Sequence, residues 1–74
     1  MEPAQAFGIV LRRLRQEASM TQEELGFEAG LRRTYVSVLE LGQQQPSLTT
    51  ILKLATALNT PAGSFLSMVE EELR

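Results

Sequence analysis

Apolar residues along this chain recur at intervals of three and four and never alternate over a sustained stretch. That spacing collects side chains on one face of a helix and cannot line one face of a strand. Phe7, Val10, Leu11, Leu14 and Ala18 form a first stripe, and Pro3 suits the first position of a helix running to about residue 18. Ser19 and Met20 break it. Thr21-Gln22-Glu23-Glu24 has the form of a capping box, in which the Thr21 hydroxyl and the Glu24 carboxylate each accept the other's backbone N–H. The second helix, with Leu25 and Ala29 inward, stops at Gly30, since glycine tolerates left-handed backbone angles.

A third helix is expected from about Arg33 to Leu41, with Leu31, Val36 and Leu39 inward and Gly42 as its end. After the polar run Gln43-Gln44-Gln45-Pro46, Ser47 or Thr49 caps a fourth, whose stripe reads Leu48, Ile51, Leu52, Ala55 and Leu58. Asn59 suits its end, Thr60 the next cap and Pro61 the next first turn, giving a fifth helix to about residue 71. The expectation is an all-α, compact five-helix domain over residues 1–74, without internal repeat or linker. A chain of 74 residues hides only about 60% of the surface its unfolded form exposes, so pairing between copies is expected from size alone.

The composition narrows the function classes. Cysteine, histidine, aspartate and tryptophan are all missing. Their absence removes the usual nucleophile–base arrangements, the commonest metal ligands and the side chain that titrates near neutrality. The chain is therefore expected not to be an enzyme and to need no metal, cofactor or small-molecule ligand. No stretch approaches the roughly 20 apolar residues of a membrane span, and Met1-Glu2-Pro3 does not open a signal peptide. A soluble, cytoplasmic protein is expected. Its formal charge of −2 exerts no global pull on nucleic acid, but the charges are unevenly placed. Arg12, Arg13, Arg15, Arg32 and Arg33 lie in the first half, and Glu70, Glu71 and Glu72 cluster at the end.

The second and third helices are joined by only three or four residues around Gly30, which forces a sharp turn and lets the third protrude. Gly26, four residues earlier, permits close approach of the backbones. Spacing alone leaves two readings open: a helix-turn-helix that inserts its second helix into a DNA major groove, or a plain helical hairpin within a small bundle.

One ordered set of residues carries a more specific signal. Thr21-Gln22-Glu23-Glu24-Leu25, Gly30, Tyr35-Val36-Ser37-Val38-Leu39-Glu40, Gly42, Pro46-Ser47-Leu48, Leu54-Ala55 and Ala57-Leu58 follow one another over most of the chain. Together they resemble the Cro/repressor (XRE-like) helix-turn-helix family, roughly over residues 11–66. The resemblance implies a lambda-repressor-like fold with a recognition motif at about residues 21–42. It also implies a sequence-specific DNA-binding regulator of transcription, most simply a repressor, that binds double-stranded DNA as a homodimer on a two-fold symmetric site. Small controller proteins of restriction-modification systems are similar in kind.

Carried onto this chain, the resemblance implies that Arg33, Thr34, Ser37 and Val38 face base edges. Arg33 is best suited to guanine, because its planar fork matches the O6/N7 pair. Gln22, Arg32, Tyr35, Gln43, Ser47 and Arg15 are implied as contacts to the DNA backbone, with a solvated side chain as the plainer alternative for Gln22 and Arg32 and a packing role for Tyr35. Arg32 stands where relatives usually carry a serine or threonine cap, so a cap is lost and a cation sits at the positive end of a helix dipole. A bound phosphate would offset both. Arg15 and Glu40 match a pair that links the first helix to the third. Gln43, Gln44 and Gln45 replace residues that are often basic in relatives, which lowers the expected counterion release.

Apolar residues of the last two helices, about residues 47–72, exceed one packing stripe. Leu54, Phe65, Leu66, Met68 and Val69 are therefore expected at a dimer interface, with an intramolecular core as the alternative. Phe27 is expected to pack against the first helix or to contact another protomer. The rival function is a protein-interaction module, an antitoxin or adaptor, built on the same scaffold.

Overall fold

The computed structural model describes all residues from Met1 to Arg74. Five helices follow in order: α1 Pro3–Glu17, α2 Gln22–Ala29, α3 Arg33–Glu40, α4 Leu48–Ala57 and α5 Ala62–Glu72, with no strand. Their ends sit where local chemistry puts them. The Glu2 N–H donates to the Gln5 side chain at 2.9 Å, with Pro3 as the first helical residue. Thr21 and Glu24 form the reciprocal box, at 2.8 and 3.0 Å. Gly30 takes φ +70°, and the Leu31 N–H folds back onto the Gly26 carbonyl at 2.8 Å. Ser47, not Thr49, caps α4, accepting from the Thr50 N–H at 3.1 Å.

α1 packs on α3 and α5, α2 on α3 and α4, and α4 on α5. The circuit closes around one core of fourteen apolar residues. Phe7 and Phe65 stack within it, with ring centroids 4.9 Å apart and planes 14° from parallel. The inward positions of α1, α2 and α3 are Phe7, Val10, Leu11, Leu14, Leu25, Ala29, Val36 and Leu39, with Leu31 half-buried against them. Ala18 is an exception; it caps the end of α1 and is exposed.

The last two helices correct the sequence reading. Leu54, Phe65 and Val69 were expected at a dimer interface, yet all three lie inside the core of the single chain. Met68 is half-buried against that core, and Leu66 alone of the five stays on the surface. The reverse holds on α4, where Leu48 and Leu52, expected inward, are 67% and 48% exposed. The cause is that α4 is apolar on nearly every side. Ile51, Ala55 and Leu58 face inward as expected, Leu54 joins them in place of Leu48 and Leu52, and only packing against α2 and α5 decides between the two faces. At the next boundary Pro61 is the cap and not the first helical residue, and the Thr60 hydroxyl donates back to the Leu58 carbonyl at 3.2 Å. Phe27, expected to pack against the first helix or to meet another protomer, is 84% exposed and borders a hollow with Met20, Glu23 and Glu24.

Gly8 holds a place that spacing alone did not reveal. A Cβ there would lie 2.5 Å from the Leu39 carbonyl oxygen and 2.6 Å from that of Glu40. The backbones of α1 and the end of α3 meet at this point, so any side chain would push α3 away. Gly8→Ala is expected to cost about 1–3 kcal/mol, the usual range for overpacking, read as a lower urea midpoint at an unchanged slope.

Candidate nucleic-acid interface

α3 is anchored on one side and free on the other. Val36 and Leu39 reach the core, and Tyr35 rests half-buried against it. Arg33, Thr34, Ser37 and Val38 fall at i, i+1, i+4 and i+5, which collects them on the opposite face. Arg33 and Thr34 are exposed, while Ser37 and Val38 are half-buried. Leu41, one turn beyond Ser37, extends that face and is exposed, with Gln43, Gln44 and Gln45 exposed after it.

A polar clamp fixes the inner end of the helix. The Arg15 Nε donates to Glu40 Oε2 at 2.6 Å and its Nη2 to Oε1 at 3.0 Å, a bidentate fork. The remaining amino group donates to the Met20 carbonyl at 2.9 Å, tying in the turn before α2. Gln22 Nε2 adds a third donor to Glu40, at 3.0 Å to Oε1. α1 and α2 thereby converge on one carboxylate of α3, whose side chain is 4% exposed against 12% for Arg15. The hydrogen bond to Glu40 raises the Arg15 pKa above its already high ordinary value, outweighing the opposing effect of burial.

Arg15 was expected both to pair with Glu40 and to contact the DNA backbone. The pair with Glu40 is present, and together with the bond to Met20 it takes three of the five N–H groups of the guanidinium. Gln22 likewise faces Glu40, giving one Nε2 hydrogen to its carboxylate and keeping the second N–H free. Arg13 is held by Glu72 at 2.6 Å, joining α1 to α5.

The free cations are differently placed. Arg32 caps α3 with no hydrogen bond to its own side chain, so the N–H groups of Arg33 and Thr34 have no capping side-chain oxygen, while the Tyr35 N–H donates to the Arg32 carbonyl at 3.0 Å. Arg32 and Arg33 are both exposed and take part in no ion pair. Arg33 borders a shallow cavity of about 420 Å³ with Arg15, Met20, Thr21, Gln22 and Glu23, so the start of α2 and the start of α3 open onto one hollow. At the start of α4 the Ser47 hydroxyl is engaged within the chain, accepting from the Thr50 N–H and donating to Thr50 Oγ1 at 3.1 Å. Leu48 and Thr49 follow it as the first two helical residues, whose N–H groups have no helical acceptor.

Gly26 completes the turn. A Cβ on it would lie 2.7 Å from the Leu31 carbonyl oxygen and 3.4 Å from the Arg33 nitrogen. The connection between α2 and α3 is thus as tight as backbones allow, and it thrusts the Arg33 end of α3 outward.

A tight turn of this kind between two eight-residue helices, the second bare along its outer face, matches the family model described as "Helix-turn-helix" over residues 11–65. The chain belongs to the helix-turn-helix family. Among its relatives in that family is control protein C.BamHI of Bacillus amyloliquefaciens, 43% identical over 61 residues that cover 81% of this chain and 75% of that protein. The HTH-type transcriptional regulator y4dJ of Sinorhizobium fredii is 32% identical over 71 residues, 96% of this chain and 92% of its own length. Among solved structures, the restriction-modification controller protein C.AhdI from Aeromonas hydrophila superposes with a TM-score of 0.81 at 45% identity, covering 84% of this chain and 94% of that one. No helix of this family member is long and apolar enough to cross a membrane.

Proposed function

We propose that this chain is a sequence-specific DNA-binding regulator of transcription, acting in the cytoplasm as a homodimer on a two-fold symmetric operator. One observation carries the reading: the outer face of α3 is uncommitted, with Arg32, Arg33 and Thr34 exposed, while Arg15, Gln22 and Gly8 hold its inner side rigid. An eight-residue helix is about 12 Å long, a length that a major groove about 12 Å wide and 8.5 Å deep admits. Arg33 reads a guanine through its fork, Thr34 and Ser37 donate to base edges, and Val38 meets a thymine methyl. Arg32, Tyr35, Gln43, the amide of Gln22 and the backbone at Ser47 hold phosphates.

Two copies are needed because one is too small. The chain measures 31 × 23 × 22 Å and presents a single α3, whereas equivalent major grooves recur about every 34 Å. With Leu54, Phe65 and Val69 in the core, the exposed apolar residues of the last two helices are Leu48, Leu52 and Leu66, with Leu73 at the end of α5, and Phe27 of α2 is exposed as well. Seated on an operator that overlaps a promoter, such a dimer represses by excluding polymerase. The relatives named as control proteins and transcriptional regulators support this class of function.

Selection of bound fragments from a random duplex pool tests the reading, and an inverted repeat with half-sites one helical turn apart is the expected product. Failure to enrich any duplex, together with stoichiometric capture of a partner protein, would favour the interaction-module alternative. Salt dependence adds a quantitative check. Arg32 and Arg33 are the only unpaired cations at the start of α3, four in a dimer, and the glutamine run adds none. The slope of log K against log salt is expected to be no steeper than about −4, at roughly 0.9 per neutralised phosphate. Titrations between 50 and 200 mM salt, roughly the range over which such slopes are read, provide the measurement.

A further inference from the structure

Leu41 is the large apolar side chain that the chain leaves uncovered on the outer face of α3. It is 66% exposed, and its backbone, at φ −81° and ψ −4°, carries the helical path one residue past Glu40. At about 100° per residue, Arg33, Ser37, Leu41, Thr34 and Val38 fall in that order within an arc of about 140°. Leu41 stands near the middle of that arc, and Val36 and Leu39, on the other side, reach the core.

The chemistry of the face is graded along its length. Arg33 offers a charged fork at one end, Thr34 and Ser37 offer hydroxyls, and Val38 and Leu41 offer only methyl groups toward the other. Val38 is half-buried, so Leu41 is the more exposed of the two apolar side chains. Base edges in a major groove present hydrogen-bonding groups, with one exception: the C5 methyl of thymine is the apolar group there. A leucine pressed against donors and acceptors strips them of water and returns nothing, whereas against a methyl it gains apolar burial.

We propose that Leu41 is a specificity-determining residue that reads a thymine methyl in each half-site, at the end away from the guanine under Arg33. The proposal rests on the DNA-binding reading above and adds to it the order of bases within the half-site. Leu41 lies eight residues beyond Arg33. With α3 lying along the groove, that is about 12 Å, or roughly three to four base steps of about 3.4 Å. A guanine and a thymine at that interval are the expected signature of the half-site.

Titration of the full chain against the selected operator tests it, with deoxyuridine, which lacks only the methyl, in place of that thymine. Circular dichroism and the urea midpoint confirm that Leu41→Ala, a change at an exposed side chain, keeps the fold. One lost methyl contact is worth about fourfold in affinity, so deoxyuridine in both half-sites should raise the wild-type Kd about fifteenfold. In Leu41→Ala the same exchange should move Kd by less than about twofold, while Val38→Ala should retain the full effect. A 5-methylcytosine–guanine pair at that position should bind better than cytosine–guanine in the wild type and equally in Leu41→Ala. A half-site without thymine at that interval, or a methyl effect of the same size in the wild type and Leu41→Ala, would overturn the assignment of Leu41 and leave the DNA-binding reading intact. A random duplex pool from which nothing is enriched would overturn both.

Discussion

Replacement of Arg33 by alanine is expected to weaken binding to the selected operator by about 1–3 kcal/mol, roughly a 5- to 150-fold rise in Kd. The same variant should lose preference at one base pair in each half-site. The reasoning is local. Arg33 is exposed, touches no carboxylate, and stands at the first position of α3, where the Gly26 turn thrusts it outward. Removing it therefore leaves the fold alone, and the urea midpoint should stay within the small range typical of surface substitutions. Arg33→Lys should not rescue base preference, because an ammonium group lacks the planar fork that matches guanine. Quantitative gel shifts on the operator and on single-base variants of it measure both effects. A uniform loss across all sequences would place Arg33 on the phosphates instead.

The clamp beneath α3 gives the second large effect. Glu40→Ala would strand the Arg15 fork and the Gln22 amide at a site where the carboxylate is almost fully covered. Breaking such a pair by removing one partner costs about 3–5 kcal/mol, against a total stability of about 4–11 kcal/mol for a chain of this size. Urea denaturation should show much of the stability gone. Arg15→Met combined with Glu40→Leu is the informative companion, since exchanging both partners for apolar side chains costs far less than breaking the pair. That double variant should recover most of the midpoint yet still bind the operator more weakly, because α3 has lost the fork that fixes its angle. Full recovery of both stability and affinity would reduce the clamp to a stabilising contact with no part in orientation.

Helix boundaries were legible because each is written in a few adjacent residues: Pro3, the Thr21–Glu24 box, Gly30 at φ +70°, Ser47 before α4, and Asn59 at φ +55°. The inward faces of α1, α2 and α3 were legible for a related reason. Polar residues occupy their other sides, so the apolar stripe has one orientation. α4 has no such contrast. With Leu48, Ile51, Leu52 and Leu54 spread around its circumference, its buried face depends on partners distant in sequence, so Leu48 and Leu52 were placed inward and Leu54 at an interface. On α5 the apolar residues were taken as a surplus, and Phe65 and Val69 are core. Phe65 is explained only by Phe7, fifty-eight positions away along the chain, on which it stacks.

At the candidate interface the outer residues of α3 were named through the family resemblance, spacing alone leaving a plain hairpin open, and the structure leaves Arg33 and Thr34 exposed with Ser37 and Val38 half-buried. What holds that face in place was only partly legible. Arg15 and Glu40 were expected to pair, but the convergence of Gln22 and the Met20 carbonyl on the same clamp requires the tertiary fold. The one sequence signal for the Gly8 contact is a glycine inside an otherwise apolar stripe, and its meaning depends on the end of α3 lying against it.

Methylation interference on the selected operator probes groove occupancy directly, because dimethyl sulfate marks guanine N7 on the major-groove edge and adenine N3 on the minor-groove edge. Two clusters of interfering guanine N7 positions, one per half-site and about one helical turn apart, are the predicted pattern, with one cluster position lost in Arg33→Ala. Interference confined to adenine N3, or the same guanine pattern with and without Arg33, would contradict insertion of the Arg33 end of α3 into the major groove.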